Sequence, residues 1–200
     1  GWMKPFHKTH REARRYPPQQ SRGSTHFIVM MAFILMMFVP IVIKLILSAP
    51  LMHTIHAQLP RELGLSTIAL LCALPLLQQV HRYKQQDDHR SFRLALLAVN
   101  IAGWLFLTLQ YIGWKKVFAM PESPVLTLSG ALIVLHGFHF MVAAALLFYA
   151  SIQTARINTS SELYIHFLNP EKEKFFEGSC RFWSYLTFLW AILYAVMLLK

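Results

Sequence analysis

Between Val125 and Ala155 the sequence contains not one Lys, Arg, Asp or Glu. A helix of about 20 apolar residues crosses the hydrocarbon core of a bilayer. Only structures that satisfy their own backbone groups, helices and closed barrels, persist there. Five stretches meet that length: His26–Leu47, Leu63–Val80, Phe92–Trp114, Val125–Ser151 and Phe182–Leu199. In the second, only Leu65–Leu77 is free of strongly polar residues, and Pro75 interrupts it. Pro40 and Pro75 are tolerable within membrane helices, where neighbouring groups satisfy the freed carbonyls. With 56% hydrophobic and 14% charged residues, the chain is too apolar for an ordinary soluble domain. It reads as an all-α integral membrane protein: a basic tail over residues 1–25, then a bundle of five transmembrane helices over residues 26–200.

The charge distribution predicts an orientation. If the spans alternate, Lys and Arg number six before the first span, four in Val80–Arg93 and four in Ser151–Arg181. The opposite side receives only Arg61, Lys115, Lys116 and Lys200, with Lys44 near a span end. Basic loops stay in the cytoplasm, so the N-terminus is expected there and the C-terminus in the periplasm, across a bacterial inner membrane. The net charge of +10 then reflects topology and lipid headgroups, with no nucleic acid as partner. Arg82, Lys84, Arg90 and Arg93 are the expected headgroup contacts. Cys72 and Cys180 form no C-x-x-C pair and read as small packing residues.

All nine acidic residues are expected in tails or loops. Carboxylates inside spans are the usual mark of proton relays and coupled transport, so neither is expected of this chain. There is no Walker loop, dinucleotide glycine pattern, G-x-S-x-G or H-E-x-x-H. What stands out instead is "LHGFHF", Leu135 to Phe140, which puts His136 and His139 in the middle of a hydrocarbon stretch. Haem or metal ligation, proton transfer, quinone binding and plain packing are the possible uses. Positions three apart share a helical face, joined by Ser129 one heptad below. Two ligands on one face cannot clamp a haem from opposite sides. No other span offers a histidine at that depth: His53 and His56 are placed in an outer loop, His26 at a span end, and His81, His89 and His166 in inner loops. Packing is therefore the expected role, with hydrogen bonds to a partner subunit or, within the chain, to Asn100, Gln110, Ser184 or Thr187, and with no cofactor, metal or catalytic residue in this chain. Gly130, Gly137 and Ala144, at heptad spacing, form a second stripe that would let another helix approach closely.

His136-Gly137-Phe138-His139 resembles the H-G-x-H of the fourth helix in five-span members of the haem-copper oxidase subunit III family. The last span carries a longer likeness. The family pattern E-x4-Y-W-H-F-V-D-x-x-W-x-x-x-Y is matched in spacing by Glu177, then Phe182-Trp183-Ser184-Tyr185-Leu186-Thr187, Trp190 and Tyr194. "LSTIALLCALPL" and "LALLAVNIAGWLFLTLQYIGW", with Gln110, Tyr111 and Trp114, are similar to the two preceding family helices, so that the likeness runs from Glu62 to Lys200. Ser184 and Thr187 stand where the pattern has His and Asp, and the first span lacks the family's common Glu. The resemblance implies an accessory subunit without haem or copper of its own. It would pack on the catalytic subunit I of a cytochrome c or quinol oxidase, which holds those cofactors, and would bind phospholipid. Gly130, His136, Gly137, His139, Ala144, Trp183 and Trp190 would then serve helix packing and the partner interface. A subunit-III-like partner of a nitric oxide reductase fits the same residues. A haem b or quinone-binding anchor of a dehydrogenase and a solute carrier are the competing readings.

Overall fold

In the computed structural model, residues 22–47, 60–119 and 124–198 are described, and they form helices with no strand among them. The elements are α1 (Arg22–Leu47), α2 (Arg61–Gln85), α3 (His89–Phe118), α4 (Pro124–Ala155), α5 (Ser160–Leu168) and α6 (Pro170–Leu198). All but α5 are long and apolar enough to cross a membrane. This is a multi-pass helical membrane protein. The tail expected over residues 1–25 lies mostly outside the described residues, as do His53 and His56.

The helices overrun the apolar stretches from which they were inferred. Where the sequence suggested Leu63–Val80, α2 runs Arg61–Gln85; α3 extends to His89 and Phe118, and α4 to Ala155. The largest difference is at α6, which begins at Pro170 rather than at Phe182. Apolarity marks only the part of a helix inside hydrocarbon, while the backbone ladder continues wherever capping allows. At α6 the cap is Asn169, whose Oδ1 accepts from the Glu171 amide at 3.0 Å, with Pro170 at the first helical position where its missing N–H costs nothing. The expected inner loop Ser151–Arg181 thus holds the start of α6 and all of α5. His81, placed by sequence in a loop, lies in α2, His89 opens α3 and His166 lies in α5.

Helix α5 starts with a capping box. Thr159 Oγ1 accepts from the Glu162 amide at 3.2 Å, and Glu162 Oε2 accepts from the Asn158 amide at 2.8 Å. It buries Leu163 and exposes Tyr164, Ile165 and Leu168.

The closest pairing is the α2–α3 hairpin, joined by a turn in which Asp87 adopts φ 56°. Gly113 of α3 permits the approach: a Cβ there would lie 2.8 Å from Leu63 Cδ2 on α2. Helix α4 packs on α3, and α6 closes the bundle against α2 and α4 with Trp183, Leu186, Trp190 and Leu193 buried. Helix α1 is peripheral. It touches α4 and α6, buries Ile34 and Phe38, and leaves Ile28, Phe33 and Met36 exposed. Pro40 and Pro75 both face outward, so their rings displace no packed neighbour. One end of the bundle gathers the starts of α1, α3 and α6 with the ends of α2 and α4: Phe27 lies against Gly178, Arg93 bonds the Ile157 carbonyl, and His81 meets Glu177. We call it the basic end.

Candidate functional site

Of the two central histidines, His136 is wholly buried. Its Nε2 lies 2.9 Å from the Leu186 carbonyl of α6. A carbonyl only accepts, so Nε2 carries the proton. Around the ring stand Phe38 of α1, Phe106 of α3, Phe140 of α4 and Trp190 of α6, with centroids at 6.5, 5.8, 6.0 and 4.9 Å. These separations are those of favourable aromatic pairs. His136 is thus the polar filler of an aromatic box where four helices meet. His139 is half-buried, donates through Nδ1 to its own helix at Leu135 O (2.7 Å), and meets the edge of Phe38 at 6.0 Å. The two share a face, as their spacing required, and both rings meet Phe38 of α1.

None of the four side chains expected to partner these histidines does so. Asn100 Nδ2 bonds Leu96 O and Ser151 Oγ, both at 2.8 Å, tying α3 to α4. Gln110 Nε2 bonds Ser66 Oγ at 3.1 Å, tying α3 to α2. Ser184 and Thr187 turn back onto the Cys180 and Trp183 carbonyls of their own helix, each at 3.0 Å. A backbone carbonyl, which no sequence pattern marks, takes the place assigned to them.

The small-residue stripe divides. Gly130 lets α3 come close, since a Cβ would meet the Phe118 ring at 3.1 Å, and Ala144 is buried. At Gly137 a Cβ would meet nothing within 4 Å. No described helix uses that position as a seam. Trp183 and Trp190 are both fully buried, and Trp190 Nε1 donates to Thr67 Oγ1 of α2 at 2.9 Å. Cys180 is buried as a packing residue, whereas Cys72 faces outward.

The second polar centre lies at the basic end and escaped the sequence reading. Lys84 Nζ donates to Glu177 Oε1 at 2.7 Å and to Glu173 Oε1 at 3.3 Å. His81 faces the other Glu177 oxygen through Nε2 at 3.1 Å and the Leu77 carbonyl through Nδ1 at 3.0 Å. Only a doubly protonated ring donates to both. The Lys84 ammonium also sits over Phe167 of α5 and Phe176 of α6, 4.8 and 5.4 Å from their centroids, a cation–π arrangement. Phe92 of α3 completes this cluster, 5.9 Å from Phe167 and 5.7 Å from Phe176. Charge pairing and ring packing together clamp α2, α3, α5 and α6.

This corrects two expectations. Lys84 is not free to meet lipid: its side chain is only 12% exposed and its charge is matched within the protein. Nor do the carboxylates all lie in loops, because Glu62 is in α2, Glu162 in α5, and Glu171, Glu173 and Glu177 in α6. Arg82, Arg90 and Arg93 do remain exposed, with Arg93 Nη1 donating to Ile157 O at 3.3 Å. The partners in the clamp come from helices far apart in sequence, so spacing could not announce them. The α5 capping box, T-S-S-E from Thr159 to Glu162, was legible in advance.

Among the described residues no group of three or more His, Cys, Asp or Glu is arranged to hold a metal ion. In comparison with known proteins, no family model, no curated protein and no solved structure matches this chain.

Proposed function

We propose that this chain is a non-catalytic accessory subunit, of the subunit III kind, in a respiratory haem-copper terminal oxidase. The observation that carries the reading is the placement of the residues behind the resemblance. In α6, Glu177 anchors the ionic clamp, Trp183 and Trp190 are fully buried, and Trp190 bonds α2. The motif residues of α4, His136 and His139, fill and border the aromatic box. A pattern spent on holding helices together is what a scaffold subunit needs. Ser184 and Thr187, where the family pattern has His and Asp, donate to carbonyls of their own helix and leave no hydroxyl proton unmatched.

In this reading the catalytic subunit holds the haem and copper. It packs on surfaces this chain leaves open, Gly137 and the apolar outer face of α1. The chain sits in a bacterial inner membrane with the basic end in the cytoplasm and binds phospholipid.

The test is purification of the tagged chain from its native membranes in mild detergent. Identification of the co-purifying subunits, a reduced-minus-oxidised haem spectrum and oxygen uptake are then measured. A haem-copper catalytic subunit in stoichiometric amount, with oxygen reduction, is expected. Haem b carried by the chain alone would overturn the proposal in favour of a dehydrogenase anchor. A complex reducing nitric oxide but not oxygen would move it to that class of reductase. Reporter fusions after Arg22 and Lys200 should read opposite compartments.

A further inference from the structure

The clamp takes Lys84 out of contact with lipid, and a groove elsewhere at the basic end collects the arginines that remain. It lies between the start of α3 and the end of α4 and has a volume of about 480 Å³. That size is within the range of ordinary small-molecule sites. Arg90 and Arg93 stand at its mouth, and Leu94, Leu97, Phe148 and Ile152 form its walls.

The order of these residues along the helices is informative. Arg90, Arg93, Leu94 and Leu97 follow the i, i+3, i+4, i+7 spacing of one helical stripe, with the charges first and the apolar residues deeper into the span. Phe148 and Ile152, four apart on α4, supply the facing apolar wall. An anion over a hydrocarbon chain has the same profile as the groove read from mouth to floor.

Among the described residues neither Arg90 nor Arg93 forms an ion pair with a carboxylate, in contrast to Lys84. Asp88, the nearest acid in sequence, is turned to the Ser91 amide at 3.2 Å as the cap of α3. The walls open on the outside of the bundle, where Leu94 is 69% and Leu97 55% exposed. Guanidinium groups bind phosphate with paired, directed hydrogen bonds.

We propose that this groove is a binding site for one anionic phospholipid, its phosphate between Arg90 and Arg93 and an acyl chain along Leu94, Leu97, Phe148 and Ile152. A soluble phosphate would have no use for the apolar walls, and a zwitterionic headgroup would bring a fixed ammonium cation against two guanidinium groups. The inference deepens the phospholipid binding proposed above, and because it needs only a chain that spans a membrane, its test is separate from that of the oxidase assignment.

The experiment is native mass spectrometry of the full chain in mild detergent, titrated with phosphatidylglycerol or phosphatidylcholine of equal chain length. Wild-type protein should retain one phosphatidylglycerol in preference to phosphatidylcholine. Removing both charges as R90Q/R93Q should weaken that binding about thirtyfold, the factor given by roughly 1 kcal/mol for each arginine near a headgroup. L97W, which fills the groove without touching charge, should also lose the lipid. R82Q, which removes an exposed arginine of α2 outside this groove, should bind as wild type does. Equal retention of the two lipids would overturn the proposal. So would a loss in R82Q as large as in R90Q/R93Q, which would mean diffuse attraction to the basic end. Undiminished binding in L97W would also refute it, by showing that the walls hold nothing.

Discussion

Replacing Glu177 with Leu should be among the most damaging single changes available at the basic end. The carboxylate lies 2.7 Å from Lys84 Nζ and 3.1 Å from His81 Nε2, and the Lys84 side chain is only 12% exposed. At an effective dielectric near 20, a unit pair at that separation attracts by about 6 kcal/mol before desolvation is counted. Removing one member of a buried pair leaves the other charge stranded, at about 3–5 kcal/mol when burial is complete. Two features lower the figure here. Glu177 keeps 29% of its side-chain exposure, and Glu173 remains 3.3 Å from the ammonium. A cost of about 2–3 kcal/mol follows, which for a chain of this length is a fall in unfolding temperature of about 4–12 °C. The double variant K84M/E177L removes the pair and should recover part of the loss, because an apolar pair costs nothing to desolvate while His81 still lacks its carboxylate. The assay is thermal unfolding in detergent of wild type, both single variants and the double, read as a double-mutant cycle. A coupling of about 1–3 kcal/mol is expected for groups in contact. Strict additivity, with the double variant as unstable as the sum of the singles, would refute the clamp.

The glycines give a paired test in the isolated chain. Gly113→Ala should cost about 1–3 kcal/mol by driving a methyl into Leu63. Gly137→Leu should leave the unfolding temperature of the free chain unchanged or slightly raised, since nothing lies within 4 Å and Gly is the poorer helix former; reduced recovery of the assembled complex would mark Gly137 as a partner surface. Changing both His136 and His139 to Gln should leave the haem spectrum of the purified complex intact. Loss of a haem signal with subunits still assembled would show ligation instead. At the start of α3, the Ser91 hydroxyl and amide hold the Asp88 carboxyl below its ordinary value of 3.8. A depressed folded value means that the cap contributes fully above the unfolded pKa and is lost as pH falls through the folded one. Hydrogen exchange at the Ser91 amide, corrected for intrinsic rate, should therefore rise as pH drops below about 4 in wild type. In D88N, whose side-chain oxygen stays an acceptor, that dependence should disappear.

Sequence alone determined that the chain is helical and crosses a membrane several times, because hydrocarbon forbids unsatisfied backbone and leaves long apolar runs no other form. It also determined that His136 and His139 share a face, since helical geometry fixes the angle between positions three apart. Which groups that face would meet was beyond it. The Leu186 carbonyl is chemically identical to every other carbonyl in the chain, and only the docking of α6 on α4 brings it 2.9 Å from His136. The same holds for Gly130 and Gly137, alike in sequence, one pressed against Phe118 and the other facing open space. Apolarity located the spans but not their ends, so the polar first turns of α6, Glu177 among them, read as loop. The pairing of Glu177 with His81 and Lys84 links residues 96 and 93 positions apart. A carboxylate acquires such partners only when tertiary packing places two helix ends side by side.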